Sequence, residues 1–334
     1  MRKIAILFAL ISIGLFSGCK SAGHVAASNK TLLSVDFPTD APLRYKLVSE
    51  RQIELNFDPS GKLSKGKDAG QVQKINETLE MTVSYKALET SPSGYTTVEA
   101  NFENVTASRS SMSGRSDGGK DAVQLLNGKS VKFEVSPAGN LAKTEELTTL
   151  INDIVKQAFG GKGGGIKDAE MSSDFIAMQW FFWDPISTIP KPAKGVGINE
   201  TWNSTVLAPT PMPMNLARSA AYTLAAVEPN DGKVAVINAK YSASKDLTTR
   251  TWPFPYSGSF QMRGVFGFLR GYQVLSLDGT GTFKYSVEKG RLESMNQQYK
   301  VQMKAEMPFA LGDASTTPMP NMVIDQKLSA ELLK

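Results

Sequence analysis

The chain has 334 residues, with 37 Lys and Arg against 32 Asp and Glu, one histidine and one cysteine. A formal net charge of +5 is mild over this length, and the basic residues are not interleaved with aromatics, which argues against a nucleic-acid partner. Cys19 and His24 both precede residue 30, so the remainder excludes disulfides, Ser-His-Asp and Cys-His catalysis, and zinc sites built from His or Cys.

Arg2 and Lys3 precede an apolar run from Ile4 to Phe16, followed by Ser17-Gly18-Cys19. A charged start, a short apolar core and small residues before a cut make a secretory leader. The run falls short of the roughly 20 residues that span a bilayer. Leu15-Phe16-Ser17-Gly18-Cys19 resembles the lipobox of bacterial lipoproteins, with Phe16 where leucine is usual. The resemblance implies cleavage after residue 18 and lipid on Cys19, leaving 316 residues and a formal charge of +3. An ordinary cleaved leader is the other reading. Each buried methylene contributes about 0.8 kcal/mol, so two or more acyl chains anchor stably. The expected partner is therefore the membrane of a bacterial cell envelope. Lys20, where an Asp would signal inner-membrane retention, favours the outer membrane if the source has two. Residues 19–31 read as the lipidated cysteine and a flexible tether.

Strand signals dominate the first half, expected over 32–159. Leu43, Tyr45 and Leu47 alternate with Arg44 and Lys46, and Ile53, Leu55 and Phe57 alternate with Gln52, Glu54 and Asn56. Period two with one apolar face defines a half-buried strand. Asp58-Pro59-Ser60-Gly61 reads as a turn. Ile75 to Tyr85 and Tyr95 to Val105 repeat the pattern around Ser91-Pro92-Ser93-Gly94, which predicts antiparallel hairpins. Then the period changes. Leu147, Leu150, Ile151, Ile154, Val155 and Ala158 lie three and four apart behind Thr144-Glu145-Glu146, which predicts an amphipathic helix packed on the sheet and stopped by Gly160.

Residues 160–198 read as a linker: a glycine-rich stretch, an aromatic segment at Phe175–Trp183, and a connector set by Pro190, Pro192, Gly195 and Gly197. The second half, 199–334, is again strand-rich, with alternation at Ala235–Tyr241, Phe260–Leu269 and Tyr299–Met307. The expected fold is thus mainly antiparallel β (α+β), in two consecutive β-rich halves with one clear helix. Val131–Val135 before Gly139 echoes Phe283–Val287 before Gly290, and Pro92-Ser93-Gly94 echoes Pro229-Asn230-Asp231-Gly232. The echoes fit either a duplication or hairpins that resemble each other by chance.

Trp180-Phe181-Phe182, Pro190, Gly195–Gly197 and Asn199-Glu200-Thr201-Trp202, with the opening Arg44-Tyr45-Lys46-Leu47, are similar to an uncharacterised domain-of-unknown-function family of bacterial lipoproteins. That resemblance would cover most of the mature chain. It implies a β-rich lipoprotein and brings no residue of known role.

Three functional readings follow. The first is a non-catalytic envelope lipoprotein that binds or scaffolds an envelope protein or other component, with no cofactor, metal or catalytic residue. The second is a carrier of an apolar ligand, lipid or peptide, in a curved sheet, with contacts from Met262, Phe266, Phe268, Met303 and Met307. Thioethers are pliable and suit adaptable apolar walls. The third is a histidine-free glycoside hydrolase, for which Asp174, Asp184, Glu200 and Asp278 are the candidate carboxylates.

Overall fold

A computed structural model describes residues 30–59, 61, 72–110, 122–137, 139, 141–143, 192–203, 208–209, 217–229, 232–243, 270–306 and 319–334, with separate positions between 145 and 157. Twelve strands are found there: β1 (Leu43–Asn56), β2 (Val72–Thr90), β3 (Thr96–Arg109), β4 (Ser130–Val135), β5 (Leu141–Lys143), β6 (Thr201–Asn203), β7 (Ala208–Pro209), β8 (Ala217–Pro229), β9 (Lys233–Ala243), β10 (Arg270–Ser286), β11 (Arg291–Glu306) and β12 (Asn321–Leu333). All belong to one antiparallel sheet, ordered β5-β4-β3-β2-β1-β12-β11-β10-β9-β8-β6, with β7 also on β8.

The mainly antiparallel β expectation holds. Strands of both expected halves share this sheet. β1 and β12 pair without interruption from Arg44–Leu333 to Asn56–Asn321, so strands near the two ends of the chain meet in the middle of the sheet. The reason lies in matching apolar patterns. Leu47 faces Ala330, Ile53 faces Ile324 and Leu55 faces Met322, which puts both strands' apolar sides on one face.

That face is continuous. Ile75, Ile53, Ile324, Val301 and Leu277 form one cross-strand row, and all are buried. Met81, Leu47, Ala330, Met295, Phe283, Ile237 and Leu224 form another across seven strands. Cross-strand pairs of this kind are the unit of sheet stabilisation. Aromatic contacts tie the rows together: Tyr45 meets Tyr85 at 6.0 Å, and Trp202 stacks on Tyr222 at 5.9 Å.

Two shorter elements pack at this face. A 3-10 turn at Ala122–Leu126 buries Val123 and Leu126. Residues 31–37 run from Val196, which pairs with Thr31 in both directions at 2.8 Å, to the β10–β11 turn, where the Asp36 amide donates to the Gly290 carbonyl at 2.8 Å. Leu33 and Phe37 are buried on the way. Thr31, assigned to the tether by composition, is therefore paired with Val196 of the connector. Gly195 allows this approach, because a Cβ there would lie 3.0 Å from the Thr31 carbonyl oxygen.

The expected helix is not among the elements found. Residues 145, 146, 149, 150, 153, 154 and 157 have helical backbone as separate positions, with Ile154 buried. Leu147, Ile151, Val155 and Ala158 of the predicted stripe lie outside the described residues, as do the aromatic segment and the strand expected at Phe260–Leu269.

The sequence echoes occupy corresponding places. From the β6 edge, β8 to β11 cross the sheet in chain order, and β2 to β5 later do so in the same direction. The β2–β3 and β8–β9 hairpins each carry a register shift before a left-handed glycine, Gly94 or Gly232. The β4–β5 and β10–β11 hairpins carry one beside their turns. A further bulge in β3 places Asn104 at φ 54, and the freed amide of Val105 donates to the Asn127 side chain at 3.2 Å. Asparagine tolerates this left-handed conformation better than most side chains.

Candidate functional site

A polar belt crosses the apolar face. Its row is Glu77, Arg51, Gln326, Tyr299, Gly279 and Tyr241, one position from each of six adjacent strands. The next row adds Ser49 and Gln297, flanked by Leu79, Leu328 and Gly281. Strand alternation puts these groups inward, since each lies two residues from a buried apolar neighbour such as Ile53 or Val301.

Arg51 is 7% exposed, and its Nε donates to Glu77 Oε2 at 2.5 Å, with a second contact from its terminal nitrogen to the same oxygen. Gln326 is 1% exposed and donates to Ser49 Oγ at 2.6 Å. The Tyr299 hydroxyl donates to Gln297 Oε1 at 2.5 Å, and the Gln297 amide reaches the Met295 sulfur at 3.2 Å. Gln326 Oε1 has no partner among the described residues. A buried charge without its counter-ion is expensive, so the Arg51–Glu77 pairing opposes any slip of β1 against β2.

The belt is narrowed by glycine on β10. Tyr241 and Tyr299 stack at 4.9 Å from the strands on either side of Gly279. A Cβ at Gly279 would meet Tyr299 at 2.9 Å, the Gln298 carbonyl at 3.0 Å and Tyr241 at 3.1 Å. The rings thus close over a position that only glycine fills.

One end of the apolar face holds buried phenols. The Tyr45 hydroxyl donates to the Leu292 carbonyl at 2.7 Å, and the Tyr285 hydroxyl to the carbonyls of Ser34 and Gly290. Burial pushes the phenols of Tyr45, Tyr85 and Tyr285 well above the usual tyrosine range, with Tyr85 adding to the shift of Tyr45 and Asp36 to that of Tyr285.

The apolar-contact candidates are mostly out of view: Cys19, Met262, Phe266, Phe268 and Met307 lie outside the described residues. Met303 is 1% exposed and packs in a row with Leu55, Met322 and Val274. Its cross-strand neighbour Met322 is equally enclosed, as is Met295 farther along β11. Alternation places Met303 on the apolar side of its strand, where it is buried level with Met322.

Of the carboxylate candidates, Asp174 and Asp184 also lie outside the described residues. Glu200 accepts the Gly197 amide at 2.8 Å and sits 3.6 Å from Lys30, and these partners hold its carboxyl below the usual range, the amide first. Asp278 is exposed on the polar face, level with Lys300. The main-chain carbonyl of Glu200 accepts from the Leu224 amide, Leu224 is level with Phe283 through Ile237, and Asp278 lies five residues along β10 from Phe283. At about 3.3 Å per residue the two are separated by roughly 17 Å. A glycosidase pair needs about 5–9.5 Å, so these carboxylates do not form one. No group of three or more potential metal ligands occurs among the described residues.

Sequence reasoning missed the belt. Alternation singles out neither Arg51 nor Gln326, and only cross-strand register puts them inside.

No family model and no curated protein matches the chain. Among solved structures it is similar to "Lipid-protein interactions in lipovitellin", with a TM-score of 0.48 and 10% identity over 90% of this chain and 26% of that one. A second likeness is to Pseudomonas aeruginosa OpdQ, with a TM-score of 0.17 and 10% identity over 89% of this chain and 99% of that one. The chain spans about a quarter of the lipovitellin chain.

Proposed function

We propose that this chain is a non-catalytic lipoprotein of a bacterial cell envelope, held to a membrane through Cys19, whose folded body binds or scaffolds another envelope component. The observation that supports the body's role is the division of labour in its single sheet. The apolar face and its polar belt are buried, while the opposite face presents a broad polar surface. Such an arrangement suits a presented surface rather than an active-site cleft. Cell fractionation tests the anchoring. The wild-type chain is expected with membranes and Cys19→Ser in the soluble envelope fraction, whereas an unchanged distribution contradicts the reading.

The second reading, an apolar-ligand carrier, draws support from the extent of the apolar face on both sides of the belt and from its methionines, Met81, Met295, Met303 and Met322. Organic extraction of protein purified from its native membrane, followed by mass spectrometry, decides it: stoichiometric lipid beyond the anchor favours a carrier, and none favours the scaffold.

A further inference from the structure

The polar face carries a groove directly behind the inner belt. Its volume is about 340 Å³, near the lower end of the roughly 300–1,000 Å³ typical of ligand sites. Thr280 and Thr282 of β10, Asn296 and Gln298 of β11, and Ser329 of β12 line it, with Glu50 and Lys327 at one side. Register explains the cluster. Thr282, Asn296 and Ser329 are consecutive cross-strand neighbours, and so are Thr280 and Gln298. The first row continues outward through Asn238 and Thr223 to Thr201 at the sheet edge, giving an uncharged line of hydroxyls and amides across six strands.

Hydrogen bonding divides this line in two. Outside the groove, Thr201 and Thr223 bond each other at 2.8 Å, and Thr282 of the lining donates outward to Asn238 at 3.4 Å. Inside it, the side chains of Thr280, Asn296, Gln298 and Ser329 make no bond to the described protein. Glu50 and Lys327 are cross-strand neighbours yet form no ion pair among the described residues. The groove therefore concentrates unused donors and acceptors whose formal charges cancel.

From this lining we infer that the groove is a binding site for a neutral oligosaccharide. Val48 is the one apolar side chain that this face adds to an otherwise polar lining, too little to enclose an acyl chain. A single ammonium beside a carboxylate is a poor anion site, and no aromatic lines the groove to stack a base. Side-chain amides and hydroxyls both donate and accept, as sugar hydroxyls do, so each can pair without desolvating a charge. The strand spacing of about 4.8 Å repeats these groups along a line, as hydroxyls repeat along a glycan. This deepens the reading of the chain as an envelope binding protein and rests on it.

The test is saturation-transfer NMR on the full chain in an amine-oxide detergent, which has no sugar headgroup, with chitotetraose and maltohexaose as probes at millimolar concentration. Transfer to at least one sugar is expected for the wild type and for Asn76→Ala, an exposed asparagine outside the groove. In the double variant Asn296→Ala/Gln298→Ala, which changes only exposed side chains, affinity should fall about tenfold or more. No transfer to either probe, or transfer that the double variant leaves unchanged, overturns the inference. Membrane fractionation of Cys19→Ser is a separate readout, so failure here is distinguishable from failure of the anchoring.

Discussion

The hydroxyl of Tyr45 on β1 donates to the main-chain carbonyl of Leu292 on β11, 2.7 Å away and 247 residues distant in sequence. β12 lies between these two strands, so the phenol reaches past the strand that β1 pairs with. The bond ties the first of the described strands to the β10–β11 hairpin at one end of the apolar face.

Replacing Tyr45 with Phe keeps the ring and removes the donor, leaving the Leu292 carbonyl buried without this partner. A loss of about 1–3 kcal/mol is expected, read from the urea midpoint at unchanged denaturant slope. A midpoint equal to the wild type would show that the bond contributes nothing.

Alkaline pH should act through the same region. The phenols of Tyr45, Tyr85 and Tyr285 titrate higher in the folded chain than the ordinary value near 10, because burial disfavours their anions. Raised folded values mean that this stability is fully present below about pH 10 and is lost as pH climbs toward the folded values. Three extra protons released on unfolding correspond to a slope of up to about 4 kcal/mol per pH unit. Urea midpoints measured between pH 8 and pH 11 should be flat and then fall, and Tyr85→Phe should reduce the slope.

The Arg51–Glu77 pair makes a sharper prediction. Arg51→Met removes this cation from a nearly buried carboxylate and should cost up to about 3–5 kcal/mol, whereas Arg51→Met/Glu77→Met should recover most of that loss. A double-mutant cycle on denaturant stability measures the difference. Additive losses would contradict a coupled pair.

These residues also show where sequence is legible and where it is not. Strands β1 to β3 were readable because Leu43, Tyr45 and Leu47, or Val98, Ala100 and Phe102, alternate strictly with polar neighbours. β8 escaped, since Ser219-Ala220-Ala221-Tyr222 is alanine-rich and carries little period-two contrast. β12 escaped too, because Asp325-Gln326-Lys327 interrupts its apolar side, and that interruption is the belt. A belt of Arg51, Gln326 and Tyr299 exists only once three strands are registered against one another. The outer groove is invisible for the same reason: Thr282, Asn296 and Ser329 are ordinary surface residues until pairing aligns them. The helix signal at residues 145–158 was locally strong, yet no continuous helix stands among the described elements.

Gly279 should tolerate no side chain. Gly279→Val would drive its Cβ into Tyr299, Tyr241 and the Gln298 carbonyl, and the last is main chain that cannot rotate aside. Overpacking of this kind costs about 1–3 kcal/mol, so the thermal midpoint should drop by several degrees. Partial rescue by Tyr299→Leu would show that ring contact is the cause, and a full wild-type midpoint for Gly279→Val would refute the packing argument.

The most direct test of the account is the intact mass of the protein recovered from membranes of a bacterium expressing all 334 residues. The account predicts a chain that begins at Cys19 and carries at least two acyl groups on that residue. A retained leader, or a mature chain with an unmodified first residue, would contradict it.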